Sequence, residues 1–429
     1  MSLHARTPAP DPADQALLDL RHFPPLGEHR ELVLKILTQS APPIFLADRR
    51  ILADRYSAMA RSLDAHWPTW TIAYSFKTNY QVAESSALRA LGAIAEVVSG
   101  HEYRLAKRLG YPGNEIVFNG PYKTADDLRA ALADGARINV NDPDELRSID
   151  EVARSLNVRC PIGLRVNAPI GDFPPSRFGF GIVEGEADAA VRQVWASPHL
   201  RLAGLHLHLR GDMDNPAWYE QACRVLAGFV RSWPAPHVAA LEYIDLGGGY
   251  PAHMSKLDTR THWDPRPIDQ YITAITQELR PVFDGRPAPR LILEPGRYLV
   301  NDAIVFVSRI VSVRDRAGVQ QIVCNGATTM VPFTRHRVPI LRAYRPDLTL
   351  RDGAPMPANI YGASCREDDV LFQGEFSRVA TGDYLVHFGV GAYNSSINPA
   401  FIFPCPGLRF IEAAAAVGLH DAPQATGER

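Results

Sequence analysis

The sequence predicts an α/β protein in two parts, a (β/α)8 barrel of the TIM type and a C-terminal β domain. Strand-like and helical runs alternate over about 230 residues, which is typical of a barrel in which each strand is followed by a helix. Eight of these runs are strand-like, which is the number that closes such a barrel. After Arg297 few helical stretches remain, so a separate β domain is expected.

The elements follow one another along the chain. Pro43–Asp48 predicts a short strand, and Arg49–Leu63 has the periodicity of an amphipathic helix. Helix-start residues open several of the later helices, as in Thr124–Asp127 and Asn141–Glu145. Barrel strands are predicted at Thr71–Phe76, Ile94–Val98, Glu115–Asn119, Arg137–Val140, Ile162–Val166, Leu202–Leu207, Leu241–Leu246 and Leu291–Leu293. The helices between them are predicted at Gln81–Leu91, Glu102–Leu109, Ala125–Ala133, Pro143–Leu156, Ala187–Trp195, Ala217–Trp233 and Ile268–Val282.

A doubly wound open sheet is the alternative architecture, and it fits less well because no GxGxxG segment opens a βαβ unit. The predicted strands of the β domain are Ala303–Val313, Gln321–Cys324, Val370–Phe372 and Asp383–Phe388. We therefore expect an N-terminal segment contributing to the β domain (1–42), the barrel (43–300) and the β domain itself (301–429). The Pro- and Ala-rich stretches Thr7–Ala13 and Ala422–Arg429 are expected to be loose ends.

Composition excludes several classes of protein. The formal net charge is −2, so no basic field for nucleic acid is indicated. No apolar run approaches the roughly 18 residues of a membrane span, and the first thirty residues lack a signal-peptide pattern. The five cysteines are scattered without metal-ligand spacing, which predicts a reduced, cytoplasmic protein.

Lys77 is the first candidate catalytic residue. It ends the apolar run Trp70–Phe76, and a lysine at the end of a buried strand is costly to desolvate unless its charge is used. Its amine is the group that forms an imine with a carbonyl cofactor or substrate. The alternative is a lysine that extends into solvent from the end of the strand.

An anion site is expected after the seventh and eighth strands. The seventh runs into Gly247–Gly249, where backbone N–H groups can approach an anion because no Cβ obstructs them. The eighth ends in Glu294-Pro-Gly-Arg297, a carboxylate followed by a guanidinium suited to phosphate. Reactive groups in such barrels gather at the carboxyl ends of the strands. Lys77, the glycine run and this segment therefore predict a single site.

His206 and His208 lie two residues apart on the sixth strand, so both face the same side of it. A metal pair is conceivable, but no third ligand stands at a suitable spacing, and no metal is predicted. We expect one of the two to stack against a flat cofactor or to satisfy a buried hydrogen bond.

Ten segments in order resemble the ornithine/diaminopimelate decarboxylase family, whose members use pyridoxal 5'-phosphate on a fold-type III, alanine-racemase-like barrel with a β domain. The resemblance covers Pro43 to about Pro406. Its carriers are YSFKTN (74–79), EVVSGHE (96–102), IVFNGPYK (116–123), GLRVN (163–167), SRFGF (176–180), GLHLHL (204–209), DLGGGYP (245–251), EPGR (294–297), GASCREDD (362–369) and GAY (391–393).

The resemblance implies roles for the matched residues. Lys77 would hold the cofactor as an imine, and Glu294 would pair with its pyridine nitrogen, which keeps the ring an electron sink. His208 would stack on the ring. Cys365, from the second subunit of a homodimer with shared active sites, would help return a proton to the α-carbon after carbon dioxide leaves. The implied cofactor-binding residues are Lys77, His208, Gly247, Gly248, Gly249, Glu294, Gly296, Arg297 and Tyr393.

Several positions depart from the family pattern and bear on the substrate. Arg366 follows Cys365, where relatives carry an acidic residue for a distal amino group, and Arg335 lies in a segment where Tyr or Asp is usual. The other departures are Glu96 for aspartate, Arg210-Gly211 for Gly-Ser and Phe401-Ile402 for Tyr-Asn. The implied substrate-binding residues are Arg297, Arg335, Arg366, Asp369 and Phe401.

A pocket that loses carboxylates and gains guanidinium groups should reject a distal ammonium and attract a distal anion or acyl group. Alternatively, Arg335 and Arg337 are solvated surface charges. The expected reaction is decarboxylation of an L-amino acid of this kind, as in siderophore assembly (a citryl-diaminopropionate intermediate) or antibiotic assembly (an aminoacyl group on a carrier protein).

Three other functions remain as alternatives. The first is an ordinary diaminopimelate, ornithine or lysine decarboxylase. A racemase is disfavoured by the length of the chain and its Cys motif. A non-catalytic relative is disfavoured because Lys77, Glu294, Arg297, Tyr393 and Cys365 are all present.

Overall fold

The structure is a computed structural model that describes residues 20–174, 176–255, 262–263, 265–336 and 339–412, with backbone alone at 254–255, 262–263 and 335–336. The expected loose ends Thr7–Ala13 and Ala422–Arg429 lie outside the described residues, as does Arg337. Two compact units are present. The β unit comprises Met1–Leu52, Ala252–Asp264 and Leu299–Arg429, and the barrel unit comprises Ala53–Pro251 and Pro265–Tyr298.

Helices and strands are numbered here in chain order. The α-helices are α1 (Arg30–Gln39), α2 (Arg49–His66), α3 (Val82–Ala90), α4 (Gly100–Arg108), α5 (Ala125–Ala133), α6 (Pro143–Leu156), α7 (Glu186–Ala196), α8 (Pro216–Arg231), α9 (Ala235–Ala239), α10 (Ile268–Leu279) and α11 (Arg297–Val300). The strands are β1 (Ile44–Ala47), β2 (Trp70–Ser75), β3 (Ile94–Val97), β4 (Ile116–Phe118), β5 (Arg137–Val140), β6 (Cys160–Asn167), β7 (Phe180–Gly181), β8 (Leu200–Leu207), β9 (Tyr243–Asp245), β10 (Met254–Ser255), β11 (His262–Trp263), β12 (Arg290–Leu293), β13 (Ile304–Arg316), β14 (Val319–Cys324), β15 (Ile340–Tyr344), β16 (Pro355–Tyr361), β17 (Val370–Ser377), β18 (Tyr384–Phe388) and β19 (Leu408–Phe410).

The barrel unit contains a closed ring of parallel strands in the order β5-β4-β3-β2-β12-β9-β8-β6, and pairing of β6 with β5 closes the ring. The two-residue strand β7 adds to the outside of β6. The predicted barrel is confirmed. Capping residues begin the helices as expected: Thr124 and Asp127 form a capping box at α5, and Asp142 accepts hydrogen bonds from two backbone N–H groups at the start of α6.

The β unit is a mainly antiparallel sheet in the order β15-β18-β13-β14-β16-β17, with β1 inserted between β13 and β19. Apolar side chains of α1, including Val33 and Leu37, pack with Val305, Val307 and other strand residues in its core. The unit therefore takes in β1 and residues 252–264, which the sequence boundaries had placed in the barrel. Strand β1 belongs to the β unit because it pairs with a strand that is remote in the chain, as the pairing of Ile44 with Val307 shows. Among the described residues, no helix combines the length and apolarity needed to cross a membrane.

Candidate active site

Lys77 lies in the 3-10 turn Phe76–Thr78, directly after β2, at the carboxyl end of the barrel. Its Nζ is 2.6 Å from Oε2 of Glu96 on β3 and 2.7 Å from Oγ of Ser75. The Ser75 hydroxyl donates to the same carboxylate oxygen at 2.5 Å. Glu96 is fully buried, whereas the Lys77 side chain is 34% exposed. Glu96 therefore anchors a lysine whose side chain remains partly exposed.

Glycine is required in the run after β9 and in the segment after β12. A Cβ on Gly248 would lie 2.4 Å from the carbonyl oxygen of Glu294, and one on Gly249 would lie 2.3 Å from that of Arg210. Gly296 is equally confined, since a Cβ there would lie 2.0 Å from the Thr78 hydroxyl. These glycines allow the ends of four strands, β2, β8, β9 and β12, to approach one another closely.

Two amides of the glycine run are already bonded within the protein. The Gly247 N–H donates to Asp245 at 3.0 Å, and the Gly248 N–H donates to Nδ1 of His208 at 3.1 Å. The sequence had suggested that such N–H groups would serve an anion. In the structure these two N–H groups contact Asp245 and His208, and binding of an anion by the glycine run remains a prediction.

Glu294 follows β12 and is buried. Its Oε1 accepts a hydrogen bond from Nδ2 of Asn119 at 2.6 Å, and its Oε2 lies 3.5 Å from Nε2 of His206. Burial alone would raise the pKa of Glu294, but His206, a hydrogen bond with Asp245 and the charge of Lys77 lower it well below its usual value. Glu294 is therefore an ionised carboxylate inside the barrel.

Asp245, at the end of β9, is the neighbouring carboxyl group and is completely buried. Burial, followed by the charge of Glu294 and the hydrogen bond with it, raises the pKa of Asp245 well above its usual value. Asp245 is therefore the protonated group of the pair and Glu294 the ionised one. One ligand atom each of His206, Asp245 and Glu294 could meet at a cation, since these atoms lie within 4.8 Å of one another. A protonated Asp245 is a poor metal ligand, which argues against that use.

The rings of His206 and His208 are nearly parallel, at 7°, with centroids 6.4 Å apart. The expectation that both face one side of the strand therefore agrees with the structure. Burial lowers the pKa of His206, and burial together with the charges of Arg165 and Lys77 lowers that of His208 well below its usual value. Both rings are neutral near pH 7. Stacking of His208 on a cofactor remains a prediction.

Arg297 begins α11, and its Nε lies 2.8 Å from Oδ1 of Asp212. Asp212 sits in the loop after β8 with a φ of 59°, which few residues other than glycine, Asn and Asp tolerate. The guanidinium predicted to bind phosphate thus has an acidic partner, which sequence reasoning missed. The positive φ of Asp212 arises only in the folded loop, so the local sequence does not indicate that Asp212 pairs with Arg297.

The remaining predicted residues belong to the β unit. Cys365 is exposed in the loop between β16 and β17. Asp369 is buried and accepts hydrogen bonds from the Thr328 amide and hydroxyl and from the Ser364 amide, at 2.7, 2.8 and 2.9 Å. Its carboxylate therefore holds the Cys365 loop in shape, and its contact with the substrate remains a prediction.

Arg366 is exposed, and Nε and Nη2 of its guanidinium donate to the two oxygens of Asp368 at 2.8 and 2.6 Å. Its charge centre lies 6.0 Å from the ring centroid of Phe401, so these two predicted substrate residues are neighbours. Tyr393 has a φ of 61°, and its ring lies 5.5 Å from that of Phe333. The side chain of Arg335 lies outside the described atoms. Substrate and cofactor contacts of these residues remain predictions.

Comparison with known proteins identifies the chain. The family model described as "Pyridoxal-dependent decarboxylase, pyridoxal binding domain" matches residues 50–301. This chain belongs to that family. The decarboxylase is 30% identical over 318 residues to the diaminopimelate decarboxylase of Actinosynnema pretiosum subsp. auranticum, covering 71% of this chain and 70% of the relative.

Solved structures show the same fold. The diaminopimelate decarboxylase from M. jannaschii in complex with L-lysine has a TM-score of 0.77 at 23% identity, covering 88% of this chain and 89% of that one. The lysine/ornithine decarboxylase from Vibrio vulnificus in complex with putrescine has a TM-score of 0.74 at 21% identity, covering 89% and 98%. The decarboxylase is thus a carboxy-lyase that uses pyridoxal 5'-phosphate.

The barrel residues fit this cofactor. Lys77 would offer its amine from a partly exposed side chain, Glu294 would offer an ionised carboxylate to the pyridine nitrogen, and Arg297 would offer a guanidinium. Nδ1 of buried His206 has no hydrogen-bond partner among the described residues, whereas its Nε2 faces Glu294 at 3.5 Å, so a polar atom inside the barrel is available to a bound group. When bound, the cofactor draws electrons from the bond that breaks at the α-carbon of an amino acid.

Proposed function

We propose that this decarboxylase acts on a free diamino acid of the diaminopimelate, lysine or ornithine class. The observation that carries the proposal is the Arg366–Asp368 pair, in which both oxygens of Asp368 are bonded to the guanidinium. The charge of Arg366 is neutralised by Asp368. The exposed Arg366–Asp368 segment therefore has one positive and two negative charges, and its net charge is negative. Such a loop attracts a distal ammonium better than a distal anion.

The names of similar proteins support this proposal over the anionic substrate expected from the sequence. The relatives are diaminopimelate decarboxylases, and the structural neighbours were solved with L-lysine or putrescine. Both bound molecules carry amino groups at the two ends of an aliphatic chain.

In this proposal the α-carbon loses its carboxyl group as carbon dioxide and receives a proton in its place. Lys77 holds the cofactor, and Glu294 keeps its charge at the pyridine nitrogen. Cys365 supplies the proton from the second subunit of a homodimer. We further propose a cytoplasmic enzyme, which is supported by the five free cysteines.

A substrate with a distal anionic or acyl group, whether citryl-linked or attached to a carrier protein, is the second candidate. The observation in its favour is a cavity of about 380 Å³ in the barrel unit, bordered by His208. Arg177 and Arg210 lie in its wall and offer guanidinium groups to an anion, although Glu184 and Glu186 also line it.

The two candidates are separated by measuring carbon dioxide release from free diaminopimelate, lysine and ornithine, from a citryl-linked amino acid and from a carrier-bound aminoacyl group. Efficient turnover of a free diamino acid is expected. Turnover confined to the citryl-linked or carrier-bound substrates would refute the first proposal.

Charge reversal at Arg366 tests the same question within the protein. If the substrate is lysine or ornithine, whose distal end is an ammonium without a carboxylate, Arg366→Glu should keep or raise kcat/KM. If a distal anion meets Arg366, the same change should lower kcat/KM by roughly two or three powers of ten while cofactor binding is unaffected. Arg378→Glu, at another exposed arginine of the β unit, is the matched control.

A further inference from the structure

We propose that Asn119 is a positioning residue that holds the carboxylates of Glu96 and Glu294 together, and that the Tyr243 hydroxyl fixes the orientation of the amide chain behind it. The proposal rests on the proposed function for one point, the roles of Lys77 and Glu294 toward the cofactor. None of Asn119, Asn139 and Tyr243 was singled out by the sequence.

Asn119 follows β4 and donates from Nδ2 to two carboxylates. The distances are 3.0 Å to Oε1 of Glu96 and 2.6 Å to Oε1 of Glu294. An amide nitrogen has two hydrogens, so one is available for each carboxylate. Glu96 is the partner of the Lys77 amine, and Glu294 is the residue assigned to the pyridine nitrogen. Asn119 therefore joins two carboxylates. Glu96 pairs with the lysine that would hold the cofactor, and Glu294 would pair with the pyridine nitrogen of the cofactor.

The rest of the chain fixes which way Asn119 points. Its Oδ1 accepts from Nδ2 of Asn139 at 2.8 Å, and Oδ1 of Asn139 accepts from the Tyr243 hydroxyl at 2.8 Å. The carboxylates at one end of the chain accept hydrogen bonds, and the Tyr243 hydroxyl at the other end can donate one. The amides of Asn119 and Asn139 between them therefore have one orientation in which all these hydrogen bonds form. Burial raises the pKa of Tyr243, so its hydroxyl keeps its proton.

The barrel is built around this chain. Tyr243 on β9 points into the interior with Ala73, Val117, Ala203 and Ile292. A Cβ on Gly163 of β6 would lie 2.1 Å from Oδ1 of Asn139 and 2.2 Å from the Tyr243 hydroxyl oxygen, and one on Gly204 of β8 would lie 2.4 Å from the Tyr243 ring. Two neighbouring strands therefore leave space for the tyrosine and its hydrogen bond.

The expected effect is electrostatic. Glu96 and Glu294 share one buried network with Asp245, His206, Arg165 and Lys77, and carboxylates this close repel each other unless donors satisfy them. By donating to both, Asn119 lets Glu96 remain paired with Lys77 while Glu294 stays charged for the pyridine nitrogen. Loss of the amide should weaken cofactor binding and shift the pH dependence of the absorbance spectrum of the bound cofactor.

The test uses the full-length protein loaded with pyridoxal 5'-phosphate and contains no substrate. Asn119→Leu should raise the dissociation constant of the cofactor about tenfold or more, because two hydrogen bonds to charged groups are lost. It should also displace the midpoint of the spectral pH titration. Tyr243→Phe, which keeps the ring and removes the hydroxyl, should shift both quantities in the same direction by a smaller factor.

The double variant Asn119→Leu with Tyr243→Phe should be no worse than Asn119→Leu alone, because Tyr243 acts through Asn119. Tyr111→Phe is the matched control, since Tyr111 is also buried in the barrel unit but donates to the Ser85 carbonyl. Circular dichroism establishes that each variant is folded. A wild-type titration midpoint in Asn119→Leu, additive effects in the double variant, or an equal shift in Tyr111→Phe would each overturn the proposal. Because no amino acid is added, an error in the assigned substrate leaves this result unaffected.

Discussion

At the scale of single residues, Lys77 and Lys123 each pair with a glutamate of the barrel unit but differ in access. The Lys77 side chain is 34% exposed, whereas that of Lys123 is completely buried against Glu145 at 2.6 Å. Borohydride reduction of the loaded protein should therefore leave the cofactor on the peptide that contains Lys77, as read by mass spectrometry. Lys77→Ala should show no adduct. An adduct on the Lys123 peptide would contradict the assignment.

The Asp212–Arg297 pair leads to a second expectation at this scale. A phosphate dianion that approaches Arg297 also meets the carboxylate of Asp212, at 2.8 Å from the guanidinium. Asp212→Asn should therefore strengthen binding of pyridoxal 5'-phosphate by about fivefold, the effect of roughly 1 kcal/mol of like-charge repulsion. Absorbance titration measures it, with phosphate-free pyridoxal as the control ligand. Weaker binding in the variant would mean that Asp212 orients Arg297 for the phosphate.

At the scale of secondary structure, Glu84 in the first turn of α3 is fully buried, and burial raises its pKa to about 8. In the unfolded chain this carboxyl has the ordinary value of 4.5. Between pH 4.5 and about pH 8 the Glu84 carboxyl is protonated in the folded protein and ionised in the unfolded chain. The free energy of unfolding therefore falls as the pH rises through this range. Glu84→Gln should gain stability relative to the wild type across this window, by on the order of a few kcal/mol.

Urea unfolding of both proteins at pH 5 and pH 8 measures this difference. The control is Glu151→Gln, which makes the same substitution at an exposed position of α6. A Glu84→Gln effect that is equal at the two pH values would show that the carboxyl is ionised in the folded protein.

The elements also show what could be read from the sequence. The barrel strands and helices were predictable because burial of alternate faces leaves a local periodicity. Strand β1 was predicted as a strand but placed in the wrong unit by sequence boundaries, because its partner Val307 is remote in the chain. Motifs identified Lys77, Glu294 and Arg297. Asn139 and Tyr243 escaped notice because a polar residue on a barrel strand acquires its meaning from neighbours on other strands.

At the scale of the whole molecule, the predicted catalytic groups are divided between the units. Lys77 belongs to the barrel unit and Cys365 to the β unit. If two subunits share active sites, a mixture of inactive Lys77→Ala and Cys365→Ala proteins should recover about a quarter of the wild-type activity, since random exchange makes half the dimers mixed with one intact site each. Differently tagged subunits establish that exchange has occurred. Exchange without any recovered activity would place both groups in one chain.

The division of the β unit into three chain segments has a consequence for protein synthesis. Ile44 of β1 leaves the ribosome 263 residues before its partner Val307, as their positions in the chain show. At about 5–20 residues per second, this apolar strand waits roughly 13–50 s for the strand that covers it. The barrel segments can be complete before the β unit begins to assemble. During that interval the nascent chain carries an unpaired apolar strand, and segments of this kind are prone to pair with other chains.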